Sequence, residues 1–155
     1  MNAVKGSGAD PDDHVFALLD HALRRLRADV QAHMARAAAG GPDLPDLSTL
    51  RTSQLRLLTL TPDDGLRVGD LAARAGMTAQ ALGEFVRSLV SGGLLTVEPD
   101  PRDRRARVVR RTASGRAVAQ ATEDGIRAME QEWAERLGAD RWDAMRAVLG
   151  DIARG

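Results

Sequence analysis

Apolar positions along the chain fall into stretches of helical period separated by breaks, with one stretch of a different kind near residue 100. Phe16, Leu19, Leu23, Leu26, Val30 and Met34 are spaced by threes and fours, which predicts a long amphipathic helix from Asp12 to about Ala39. Residues 1–11, which contain Gly, Asp and Pro, are expected to be disordered. Gly40 to Leu47, GGPDLPDL, carries two prolines and breaks the first helix. A second helix is expected to hold Leu55, Leu57, Leu58 and Leu60, with Thr49 or Thr52 as its cap, and to stop before Pro62. Thr61-Pro62-Asp63-Asp64-Gly65 is turn chemistry, and Leu66-Arg67 can add a short strand.

Val68, Leu71, Ala72 and Ala75 then fall at i, i+3, i+4 and i+7, one face of a short helix. Gly76 follows where a left-handed terminator is wanted, and Thr78 offers a hydroxyl to cap the next helix. In that helix Leu82, Phe85, Val86 and Leu89 are expected to face the core, leaving Ala79, Gln80, Gly83, Glu84 and Arg87 outside. Helix, tight turn, helix is the unit whose second member lies in a DNA major groove. Gln80 has the chemistry to pair with adenine, and Arg87 with a guanine edge or a phosphate; the small Ala81 and Gly83 let the backbone approach closely. The same period also describes a helical hairpin with no nucleic-acid partner.

The chain beyond Leu89 bears on that choice. Gly92-Gly93 ends the helix, Leu94 to Val97 begins a strand, Pro99 to Asp103 turns, and Ala106 to Arg111 returns as a second strand. Between Glu98 and Gly115 six arginines face three acids, a local charge of +3. Charges on an edge hairpin also guard against aggregation. Arginines gathered at a narrow tip, however, suit a minor groove, where negative potential is concentrated. After the hairpin, Thr112 is expected to cap a long helix to Leu137 whose stripe is Val118, Ala121, Gly125, Ile126, Met129, Trp133 and Leu137. Gly138 interrupts, and Asp140 is expected to open a last helix bearing Trp142, Met145, Val148, Leu149 and Ile152.

Composition narrows the class. Hydrophobic content of 43% and charged content of 28% are ordinary for a globular chain of 155 residues, and aromatics at 3% imply an aliphatic core. Net charge is zero, so a DNA-binding face requires segregation. Segregation is present: residues 1–47 sum to −2, 48–97 to +1, 98–115 to +3 and 116–155 to −2. The absence of cysteine excludes disulfides and thiol-based oxidant sensing. No apolar run approaches the ~20 residues of a membrane span, and Met1 to Asp13 has no secretory character, so a cytoplasmic location is expected.

Other chemistry is thin. His14, His21 and His33 all lie on the first helix; the first two share a face, which suits a metal only across a dimer, and exposed or interfacial roles account for them more simply. Asp12-Asp13 and Asp63-Asp64 sit at a helix start and a turn, where acids belong for local reasons. No phosphate loop, nucleophile elbow or catalytic triad is visible, so no catalytic residue, metal site or cofactor is expected.

Asp100 to Ala106 (DPRDRRA), Thr112 to Arg116 (TASGR), Leu71 to Thr78 (LAARAGMT) and Ser91 to Leu95 (SGGLL) together resemble the MarR family of bacterial transcriptional regulators. The resemblance implies a mainly α (α+β) winged helix-turn-helix with a small β-hairpin wing and terminal helices that form a dimerisation region. On that basis residues 12–47 form an N-terminal dimerisation helix and loop, 48–115 the DNA-binding region and 116–155 the C-terminal dimerisation helices, all in one compact domain. It further implies a homodimer on double-stranded DNA at a pseudo-palindromic operator, acting as a repressor that responds to a small molecule. Such an effector would lie between the dimer helices and the winged unit, lined from the first, second and fifth helices. In the family's wing an Asp braces an Arg two residues on that enters the minor groove; here these are Asp103 and Arg105, with Arg102 and Arg104 beside them. The candidate DNA-contacting set is Thr78, Gln80, Ala81, Glu84 and Arg87 on the helix, and Arg102, Asp103, Arg104, Arg105 and Arg107 on the wing. Two departures stand out: Glu84 replaces a frequent Arg, and Gly83 a more usual Thr or Ser. The alternatives left open are a monomeric bundle using the same stripes, and a winged-helix module that binds a protein partner.

Overall fold

The computed structural model describes residues 14–39, 44 and 47–155. The expected disorder of residues 1–11, the helix start at Asp12 and most of the loop from Gly40 to Leu47 lie outside those residues. The elements run α1 (Val15–Ala39), a 3₁₀ turn (Leu47–Thr49), α2 (Thr52–Leu60), β1 (Leu66–Arg67), α3 (Val68–Ala75), α4 (Ala79–Ser91), β2 (Leu95–Pro99), β3 (Arg107–Arg111), α5 (Ala113–Leu137) and α6 (Ala139–Arg154). The three strands form one antiparallel sheet in the order β1-β3-β2. The fold is therefore the mainly helical winged helix-turn-helix expected, with β1 as the short third strand.

The core sits where the winged unit meets α5. Leu57, Leu58, Leu71, Leu82, Leu89, Leu95, Val109 and Val118 are all but inaccessible, so the stripes of α2, α3 and α4, the start of α5 and the inner face of the sheet converge on one aliphatic cluster. Gly76 ends α3 in the left-handed conformation, φ 66°, which a side chain would strain. The Thr78 hydroxyl accepts from the Ala81 N–H at 3.2 Å and opens α4. Phe85, expected to face the core, packs against this cluster and is half-buried.

The start of α5 is locked to the end of α4. Thr112 accepts from the Gly115 N–H at 3.0 Å and donates its hydroxyl to the Gly93 carbonyl at 2.6 Å, while its own N–H donates to the Leu94 carbonyl at 3.1 Å. Gly115 is required there: a Cβ would lie 1.9 Å from the Leu94 carbonyl oxygen. Farther along α5, Gly125 lets α1 approach, since a Cβ would lie 3.2 Å from the Val30 carbonyl.

Several boundaries differ from expectation. Neither Thr49 nor Thr52 caps α2; Arg51 holds that position, and its N–H donates to Gln54 Oε1 at 2.7 Å. A glutamine one turn in reaches back to the N–H of the cap residue, the half of a capping box that satisfies that donor. Gly138, at φ 90°, caps α6, which starts at Ala139 rather than Asp140. Leu94 precedes β2 and Ala106 precedes β3, because pairing begins only at Leu95↔Arg111 and ends at Pro99↔Arg107. Along α1 only Met34 is buried. Phe16 is 78% exposed, so the start of that stripe is not covered by the described residues.

Candidate nucleic-acid interface

The wing tip is two successive turns, each closed by an aspartate that accepts from the N–H two residues on. Asp100 Oδ1 accepts from the Arg102 N–H at 2.8 Å, and Asp103 Oδ1 from the Arg105 N–H at 3.0 Å. Backbone bonds from Asp103 N–H to the Asp100 carbonyl, and from Ala106 N–H to the Asp103 carbonyl, complete the frame. The brace from Asp103 is thus to the main chain of Arg105, whose guanidinium has no partner among the described residues.

Asp100 does more than Asp103. It is buried, and its second oxygen accepts from Arg67 Nε of β1 at 2.7 Å. The Arg102 N–H, followed by the Arg67 guanidinium, holds its carboxyl below the ordinary range. Asp100 was absent from the sequence-derived set. The signal that could have found it is the repeated Asp-x-Arg, at Asp100–Arg102 as well as Asp103–Arg105.

The arginines divide by what they touch. Arg67 pairs with Asp100, Arg110 with Glu98 and Arg111 with Asp63. Arg102, Arg104, Arg105 and Arg107 are exposed and have no ion-pair partner among the described residues. On α4, Gln80, Glu84 and Arg87 are exposed, while Ala81 is half-buried with its N–H committed to Thr78. A groove of about 470 Å³ joins helix to wing, floored by Val68, Val86, Val90 and Val97 and flanked by Arg87 and Arg107. Glu84 is not part of that groove; exposed on α4, it borders a polar cleft with Arg51 and Gln54, where Gln54 Nε2 donates to Ser88 Oγ at 2.9 Å. A Cβ on Gly83 would meet only Arg87 Nη1, at 3.5 Å, so packing does not require glycine there.

Residues 46–106 match the MarR family profile. The chain is 30% identical over 134 residues to the transcriptional regulator HosA of Escherichia coli O111:H-, covering 86% of this chain and 96% of that protein. The chain belongs to the MarR family. Solved structures agree on the fold. The PcaV transcriptional regulator of Streptomyces coelicolor, in complex with its natural ligand, is 26% identical at a TM-score of 0.64, covering 100% of this chain and 99% of that one. The transcriptional repressor CouR, bound to a 23-mer DNA duplex, is 24% identical at 0.69, covering 92% and 94%. As a MarR-family transcriptional regulator, the chain is a regulatory protein and not an enzyme.

This MarR-family chain also carries a cavity of about 320 Å³ between α1, α2 and α5. Leu23, Leu26, Val30, Leu55, Ile126 and Met129 supply apolar walls, and Arg27, Gln31, Thr52, Arg56, Thr59 and Thr122 the polar groups. Arg56 is committed to the Ala75 carbonyl and Thr122 to the Val118 carbonyl. Arg27 and Gln31 have no partner among the described residues. Of the histidines, His14 and His21 are exposed, and His33 bridges α1 to Glu132 of α5 at 3.2 Å. Among the described residues no cluster of three or more potential metal ligands occurs, and no helix is long and apolar enough to cross a membrane.

Proposed function

We propose that the chain is a homodimeric repressor that grips a pseudo-palindromic operator in double-stranded DNA and releases it when a small molecule fills the cavity. The observation that carries the reading is the joining of α4 to the wing by one groove, with Arg87 and Arg107 on its flanks and, at the wing tip, exposed Arg102, Arg104 and Arg105 with no ion-pair partner among the described residues. In that arrangement α4 enters a major groove, where Gln80 and Glu84 face base edges, and Arg105 enters the adjoining minor groove. Thr78 caps the helix close to the phosphates. Ala81, half-buried, allows close approach and offers little contact of its own. Asp103 keeps Arg105 aimed.

The dimer is supported by apolar surface that one chain leaves uncovered. Val15, Phe16, Leu18 and Leu19 on α1 and Val148, Leu149 and Ile152 on α6 are all exposed. Paired through these helices, two copies hold their recognition helices about one DNA turn, ~34 Å, apart. The repressor acts in the cytoplasm, where its DNA lies. The cavity favours an apolar body with one anionic group, which Arg27 would meet.

The test is binding of the full chain to the DNA upstream of its own gene, followed by fluorescence anisotropy over a salt series. Contact through several arginines makes affinity fall steeply with salt. Affinity that is flat in salt would favour the protein-binding module, for which the acidic Glu84 on the recognition helix speaks. Adding 6-hydroxynicotinate, the compound that regulates DNA binding by the structurally similar BpsR of Bordetella bronchiseptica, gives a first effector probe.

A further inference from the structure

Arg111 closes β3 one residue before the cap of α5, opposite Leu95. Its side chain turns inward and is 13% exposed. Nη2 donates to Asp63 Oδ1 at 2.8 Å, and Nη1 makes a long contact of 3.4 Å with the Leu58 carbonyl in α2. Nε is buried with no acceptor among the described residues. The Arg111 carbonyl accepts from Arg116 Nη1 at 3.3 Å, on the first turn of α5. Arg110, its neighbour, reaches the same turn by donating to the Asp64 carbonyl, but Arg111 is the one that reaches α2. A single residue thus ties the end of α2, the turn after it, the central strand of the wing and the start of α5.

This tie is incompletely satisfied. One bond is short, one is long, and one buried donor has no partner, which is an unfavourable state for a cation out of water. Asp63 is largely exposed, and the surrounding cleft adds Arg116, Gln120 and Glu123. A small shift of α2 therefore changes which acceptors Arg111 can use. The helix that would shift is the wall of the 320 Å³ cavity: Leu55, Arg56 and Thr59 line it, and they flank the Leu58 carbonyl in sequence.

We propose that Arg111 is a positioning residue that couples occupancy of the cavity to the position of the wing. Displacement of α2 withdraws the Leu58 carbonyl and moves the Asp63 turn; β3, held through Arg111, follows and re-aims Arg105. The proposal rests on reading the cavity as the effector site, and it gives that site a defined route to the DNA-contacting tip.

The test uses hydrogen exchange on the full chain, so that it requires neither an effector nor an operator. Arg111→Leu removes the tie and keeps strand propensity; Arg111→Lys keeps a donor for Asp63 and loses the fork to Leu58. Leu26→Trp fills the cavity from α1. Arg111→Leu should raise exchange of the amides of residues 95–111 by about tenfold relative to α1, with Arg111→Lys in between. Filling the cavity should speed the same amides in the parent chain and add nothing to Arg111→Leu. Wing amides unchanged in both Arg111 variants, or a Leu26→Trp effect of equal size with and without Arg111, would overturn it. Operator binding by the parent chain is measured alongside. Its absence would sink the operator-repressor reading alone, leaving the exchange result to judge the tie.

Discussion

Asp100 carries more of the wing than its neighbours do, because one buried carboxylate closes the first tip turn and fixes it to β1 through Arg67. Its depressed carboxyl pKa sets the sign of the pH dependence. The ionised form contributes stability above the ordinary value of 3.8, and that contribution is lost as pH falls through the lower folded value. Urea unfolding below pH 3.8 should therefore be steeper in pH for the parent than for Asp100→Asn. Equal slopes would show that the carboxylate is not the group responsible. At the tip, Arg105→Ala should weaken operator binding by roughly tenfold to a hundredfold, the ~1–3 kcal/mol of a good specific contact, with sedimentation unchanged. Unaltered affinity would remove Arg105 from the interface. Gln80→Ala should instead flatten the ranking among operator variants; an equal loss on every sequence would make Gln80 a phosphate contact.

Two glycines test the elements. Gly115→Ala drives a Cβ to 1.9 Å from the Leu94 carbonyl, so α5 must lift from the end of α4. It should cost ~1–3 kcal/mol in denaturant unfolding, as overpacking does. Gly83 has no such neighbour, and Gly83→Ala should stabilise α4 by up to ~1 kcal/mol through helix propensity. If both substitutions acted alike, the packing account of Gly115 would be wrong. The elements themselves were legible because periodicity, Gly76, Thr78 and Thr112 are local signals. The α2 cap was missed because Gln54 acts from inside the helix, and the α6 start because Gly138 caps without a side chain.

For the whole molecule, the apolar surface of α1 and α6 should be covered by a second copy. Phe16→Glu with Ile152→Glu should convert a dimer to a monomer in sedimentation velocity and lower operator affinity by orders of magnitude, since linked half-sites lose their effective concentration. A parent chain that already sediments as a monomer would end the homodimer reading. The cavity belongs to the same scale. It is lined by α1, α2 and α5, the helices from which the resemblance implies an effector would be held. Which of their side chains would be free for a ligand could not be read from spacing.

The sequence by itself determined the order of helices and strands, the turn chemistry of the wing and the concentration of arginine there. Those are properties of residues a few positions apart, and the pattern of apolar and polar groups records them directly. The tertiary structure decided which arginines are spent within the protein and which face outward. Arg67 finds Asp100 across 33 positions and Arg111 finds Asp63 across 48, while Arg102, Arg104 and Arg105 find no ion-pair partner among the described residues. Pairing at such separations is set by how the sheet registers against α2 and α3, and local spacing does not encode that geometry.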